Sequence, residues 1–110
     1  MAIEVLVENS AGQSTVTRMQ LLWDGSVIDD QSFSPAVQDV GLAGTTTAGA
    51  GNHTVGVKVI SQVGSSVVYA ISPYVQARNA ADNVDQEADP ASATRSLSTG
   101  STTSFSLTLH

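Results

Sequence analysis

Between Thr54 and Ile60 the side chains alternate without a break. Val55, Val57 and Val59 fall on one side, while Thr54, Gly56, Lys58 and Ile60 fall on the other. Successive side chains leave a strand on opposite faces, so this period of two predicts a strand with one buried side. The valines predict the core face and Lys58 the wet one. Gly49 and Gly51 lead into the run and supply the backbone freedom for the turn that aims it. The reading is a central strand, Asn52–Gln62, with the rest of the chain arranged around it as further strands.

The same alternation recurs on both sides of that run. Ile3, Val5 and Val7 predict a first strand over Ala2–Glu8, closed by the turn cluster Asn9-Ser10-Ala11-Gly12. Met19, Leu21 and Trp23 predict the inner face of a second strand, Ser14–Trp23, with Val16, Arg18, Gln20 and Leu22 outside. Asp24-Gly25 then predicts a two-residue type I′ hairpin, because both central positions need positive φ. That turn implies a third strand, Ser26–Phe33, with Leu22 opposite Val27 and Leu21 opposite Ile28. Pro35 breaks the pattern. A fourth strand is expected over Val37–Leu42, with Gly41 and Gly44 flanking its end.

Val63-Gly64-Ser65-Ser66 reads as a turn, and Val67–Ile71 as the next strand. Pro73 implies an edge position or a bulge before Tyr74–Arg78 continue it. Asn79–Ala93 shows no period and holds Asp82, Asp85, Glu87 and Asp89. It reads as a long exposed acidic loop with one helical turn near Ala80–Val84. Thr94–Leu97 is a short strand, and Phe105, Leu107 and Leu109 define the inner face of a last strand, Thr103–Leu109. Seven to eight short strands without a substantial helix predict a single all-β domain over 1–110. Its fold class is an antiparallel β-sandwich, jelly-roll or immunoglobulin-like, without the Cys–Trp–Cys signature of a true immunoglobulin domain.

Composition narrows the function classes. The chain has 110 residues and a formal net charge of −6, with only four Lys and Arg residues. Arg18, Lys58, Arg78 and Arg95 are scattered, whereas nucleic-acid and anionic-membrane binding need clustered cations. No cysteine is present, so core packing or self-association must hold the fold. Met1-Ala2-Ile3-Glu4 lacks a basic segment followed by an apolar one, and no run approaches the ~18 apolar residues of a membrane span. The expectation is a soluble chain without an export signal. Only 13% of residues are charged, and Ser and Thr fill the outward strand positions.

No catalytic constellation emerges. His53 starts a strand and His110 ends the chain, and there is no Gly-x-Ser-x-Gly elbow. His53 is read as capping the turn or packing on a neighbour; a hydrolase built on it is the remote alternative. Asp82, Asp85, Glu87 and Asp89 are a candidate calcium set, but the calcium-loop pattern with its glycine is missing, and a solvated acidic loop is the favoured reading. Asp24, Asp29 and Asp30 are read as serving the hairpin and the strand exit. Asn52-His53-Thr54 matches a glycosylation acceptor, expected to be unused without secretion. Trp23, Tyr69 and Tyr74 are the candidate sugar-stacking aromatics, with Trp23 favoured as core. No cofactor is expected.

Two phrases carry a family resemblance. Gly49-Ala50-Gly51-Asn52-His53-Thr54-Val55, followed by alternating valines, resembles a turn and strand found in β-sandwich domains of bacteriophage structural proteins. The hairpin Leu22-Trp23-Asp24-Gly25-Ser26-Val27 is similar to one in those modules and in bacterial surface sandwich modules. The resemblance spans Thr15 to Gln62; Asn79–Ala93 has no counterpart in it. It implies a non-enzymatic virion protein, of the capsid decoration, cement or fibre kind. Such a protein would form a homo-oligomer, expected as a trimer, and bind a capsid or tail surface. Leu6, Val16 and Ile60, read as outward apolar residues, are the interface candidates. The alternative is a carbohydrate-binding or adhesive module of a larger protein at the cell surface.

Overall fold

A computed structural model describes residues 2–10, 16–33, 40–63, 67–78, 84–88, 93–97 and 99–109. Among them are nine strands, more than the seven to eight expected: β1 (Ala2–Ser10), β2 (Val16–Trp23), β3 (Ser26–Ser32), β4 (Val40–Thr47), β5 (Gly51–Gln62), β6 (Val67–Arg78), β7 (Val84–Ala88), β8 (Ala93–Leu97) and β9 (Thr102–Leu109). All pair antiparallel. One sheet runs β4-β1-β6, with β7 and β8 both against the far side of β6. The other runs β3-β2-β5-β9. The protein is an all-β antiparallel sandwich.

The alternation explains why the two sheets close on each other. Ile3, Val5 and Val7 of β1 meet Met19, Leu21 and Trp23 of β2, the three valines of β5, and Phe105, Leu107 and Leu109 of β9 in one buried cluster. Burying one such side chain is worth about 1.5–3 kcal/mol, which makes this cluster the main support of a chain without disulfides. β5 is central, as its sequence predicts, with β2 on one side and β9 on the other.

The hairpin has the expected turn: Asp24 and Gly25 take φ of 48° and 85°. Leu22 faces Val27 as predicted, but Leu21 faces Asp29 rather than Ile28. Ile28 is the extra residue of a bulge, and it turns inward to pack against the core.

Two further shifts correct the placing of Val16. Val16 pairs with Gln62 and Arg18 with Ser61, so Thr17 is an extra residue on β2; Met19 then pairs with Val59, so Ile60 is an extra residue on β5. Each extra residue reverses which face its neighbours occupy. Val16 therefore lies fully buried, not on the outer face where strict alternation puts it.

The fourth strand, Val40–Thr47, runs past the expected end at Leu42 through Gly44 and the three threonines; 37–39 lie outside the described residues. Gly44 faces β3 across the sandwich edge. A Cβ at that position would stand 2.8 Å from both Cγ1 and the carbonyl oxygen of Ile28, so only glycine lets the two edges approach so closely.

β6 is continuous through Pro73, and it is not an edge. Its ladder is broken on one side only. Ile71 pairs with Ala93 of β8 and Val75 with Ala88 of β7, while on the other side Pro73 stays in register with Val7. Val84–Ala88, expected within an acidic loop, forms β7 instead. Its strand character is hidden in sequence because its five residues, Val-Asp-Gln-Glu-Ala, include only two apolar ones. The proposed helical turn ends on Val84, which is in β7; 80–83 and the Ser34-Pro35 break lie outside the described residues.

Candidate functional site

Two polar constellations and one groove stand on the described surface. The first joins the β2–β3 turn to β5. Asp24 donates its backbone N–H to the Thr54 carbonyl at 2.9 Å, and its Oδ1 accepts the Thr54 N–H at 2.8 Å. His53 lies one residue earlier on β5. Its Nδ1 is 2.6 Å from Asp24 Oδ2, and its Nε2 is 2.8 Å from the Gly49 carbonyl oxygen. Both partners are acceptors only, so His53 donates from both nitrogens and is an imidazolium in this arrangement. The Asp24 hydrogen bond first, then the Gly49 carbonyl, raises the His53 pKa above its ordinary value. The same hydrogen bond lowers that of Asp24. The imidazole also stacks on Trp23, with ring centroids 5.0 Å apart.

His53 thus both packs on a neighbour and holds the turn, the role its position suggests. With both nitrogens engaged, neither is open to take a proton from a nucleophile. Trp23 is 5% exposed and belongs to the core, so it offers no stacking face to a sugar.

The second constellation lies on the outer face of β2 and β3. Arg18 grips Asp30 with two hydrogen bonds, Nε to Oδ1 at 2.9 Å and Nη2 to Oδ2 at 2.6 Å; Gln20 adds a third at 3.0 Å. The Arg18 guanidinium, then Gln20, pulls the Asp30 carboxyl down to about 2. Next to it, Asp29 bridges the sheets: its Oδ2 accepts the Ala43 N–H of β4 at 2.9 Å, and its Oδ1 accepts from the Asp30 backbone and the Gln31 side chain. Asp29 and Asp30 serve the strand, as the sequence suggests. The bridge to β4 is not visible in sequence, since it needs the edges of two sheets to meet.

The groove, shallow and of about 590 Å³, runs across the outer face of β4, β1 and β6, closed at one side by Ile28. Leu6 lies in it, 42% exposed, beside Tyr74 and Ala43. These three residues form one cross-strand row, Ala43–Leu6–Tyr74. A polar chain borders the row: Gln76 donates to the Tyr74 hydroxyl at 3.2 Å, Arg78 donates to Gln76 at 3.1 Å, and Arg78 stands 3.7 Å from Glu4.

Of the three interface candidates, Leu6 is on this outer face, Ile60 is half-buried at the β5 bulge, and Val16 is in the core. Tyr69 stands on β6 opposite Arg95, apart from the groove row. Asp85 and Glu87 lie on β7, whereas Asp82, Asp89 and His110 lie outside the described residues. Among the described residues no three acidic or histidine side chains gather as a metal site. No protein-family model matches the sequence, and no curated protein is similar to it.

Proposed function

We propose that this chain is a non-enzymatic structural protein of a virion, a decoration, cement or fibre module that self-associates and binds a capsid or tail surface. The observation that carries the reading is the Ala43–Leu6–Tyr74 row: an apolar strip in a broad groove, on a sheet whose neighbouring outward positions are Thr, Gln and Glu. An apolar patch rimmed by polar groups suits a protein contact. The His53 and Asp30 constellations also favour it, since their donors and acceptors are spent on holding strands together. The resemblance at Gly49–Val55 and Leu22–Val27 supports the virion setting.

Light scattering on the purified protein at micromolar concentration tests the reading. An oligomer that loses mass when Leu6→Asp is introduced supports it. A strict monomer that binds a glycan overturns it in favour of the second reading, a carbohydrate-binding module. That alternative draws on Tyr74, an aromatic side chain in the groove with Gln76 and Glu4 beside it. A glycan array separates the two.

A further inference from the structure

We propose that β9 is a seam between two copies of this chain, pairing antiparallel with β9 of the second copy about Ser106 and joining two four-stranded sheets into one of eight. The inference deepens the self-association reading and rests on it only for the existence of an assembly; it places the contact on a different surface from Leu6.

An edge strand offers a row of unpaired N–H and C=O groups, and natural sheets blunt such edges with charge, proline, bulges, shortness or cover. The other described edges carry these devices. β3 has the Ile28 bulge with Asp29 and Asp30 beyond it. β4 is closed by Asp29 on the Ala43 N–H and by Ile28 against Gly44. β7 and β8 are five residues each, with Asp85, Glu87 and Arg95 among them. β9 has none. Its eight residues, Thr-Thr-Ser-Phe-Ser-Leu-Thr-Leu, include no charge, proline or glycine, and its ladder with β5 runs unshifted from Lys58↔Thr102 to Gly51↔Leu109. Among the described residues no strand pairs with its other side.

The direction of the free groups follows from β5. Thr54 turns its N–H and C=O toward Asp24, on the β2 side, and Val59 bonds Ser101 and Gly100 on the β9 side. Odd-numbered residues of β5 therefore bond β9, and their partners Thr103, Phe105, Leu107 and Leu109 bond back. Ser104, Ser106 and Thr108 are left with N–H and C=O pointing outward.

These groups select the register. A two-fold axis through Ser106 sets Ser106 against itself and Ser104 against Thr108 as hydrogen-bonded pairs. It also sets Phe105 against Leu107 on the core side, in the closer non-hydrogen-bonded position. Phe105 and Leu107, at 8%, are the most exposed members of the core cluster, and this register covers both. A second copy satisfies the outward groups of Ser104, Ser106 and Thr108 with matching side chains and no apposed charge. The contact closes at two copies, and it enters a three-fold assembly only as the link between two trimers.

Hydrogen exchange and sedimentation velocity on the full chain test the seam. The expected result is that the Ser104 and Ser106 amides gain protection as concentration rises, while Phe105 and Leu107 stay protected throughout. Ser106→Pro removes an outward N–H that β5 does not use, so the fold is kept and the mass halves; Ser106→Lys, a charged edge, does the same if the proline variant fails to fold. Equal exchange of Ser104 and Ser106 at all concentrations overturns the proposal. An oligomer that survives Ser106→Lys but is lost in Leu6→Asp overturns the seam and leaves the groove contact standing.

Discussion

The Nδ1 of His53 lies 2.6 Å from Oδ2 of Asp24 across 29 residues of sequence, and this contact ties the β2–β3 hairpin to the central strand. Asp24 adopts positive φ to make the turn, accepts the Thr54 N–H with one oxygen and faces His53 with the other. One side chain thus serves both local and long-range structure.

The contact makes stability depend on pH, with a sign set by the two shifts. The His53 pKa is raised above 6.5, so its contribution is complete below that value and is lost as pH rises through the folded-state pKa. The Asp24 pKa is lowered below 3.8, so its contribution is present above that value and is lost as pH falls through the folded-state pKa. Thermal midpoints should be highest between these limits and fall toward about pH 8.5. His53→Gln should flatten the alkaline fall. A wild-type midpoint that holds steady from about pH 5.5 to 8.5 would contradict the imidazolium assignment.

Asp30 gives a separate titration. Its carboxyl, held at about 2 by the Arg18 fork, should show an NMR midpoint near that value. Arg18→Met should move the midpoint up toward the ordinary carboxylate range, because the leading cause is removed. An unchanged midpoint in the variant would mean that the fork does not persist in solution.

Alternation alone puts both Val16 and Leu6 on outer faces, and only Leu6 lies there. Val16→Ala removes two buried methyl groups and should cost about 2 kcal/mol in urea unfolding. Leu6→Ala, on the exposed face, should stay within about 0.5 kcal/mol for the monomer. The opposite ranking would show that the double bulge is absent and that Val16 faces water.

The contrast shows what the sequence could and could not reveal. Val55, Val57 and Val59, and likewise Phe105, Leu107 and Leu109, declare their faces because nothing interrupts the period of two. The Asp24-Gly25 turn is legible because few dipeptides accept positive φ twice. The bulges at Thr17, Ile28 and Ile60 leave no such mark, since an extra residue in a ladder is defined only by its partner strand. β7 was hidden because its neighbour β6, rather than its own apolar residues, makes it a strand. Asp29 on the Ala43 N–H and the Leu6 groove arise where distant segments meet, so neither has a local signal.

Asp29 should show its bridging role directly. Asp29→Ala leaves the Ala43 N–H without its carboxylate and should cost about 1 kcal/mol, with faster exchange of that amide. Asp29→Asn keeps one acceptor and should lose less. Unchanged exchange at Ala43 in the alanine variant would rule out the bridge.

Gly44 is the steric counterpart of that bridge. In Gly44→Ala the new methyl meets Ile28 at 2.8 Å, and one of the atoms it meets is a backbone carbonyl that cannot swing aside. The β3 and β4 edges must then part, weakening the Asp29 bond to Ala43 as well. The cost should be about 1–3 kcal/mol. Gly41, on the same strand, has nothing closer to a new Cβ than the Val7 carbonyl at 3.9 Å. Gly41→Ala should therefore stay within about 0.5 kcal/mol. Ile28→Ala added to Gly44→Ala should restore only part of the loss, because it clears the side-chain clash and leaves the one with the carbonyl. Equal urea midpoints for Gly41→Ala and Gly44→Ala would show that the two edges do not approach as described.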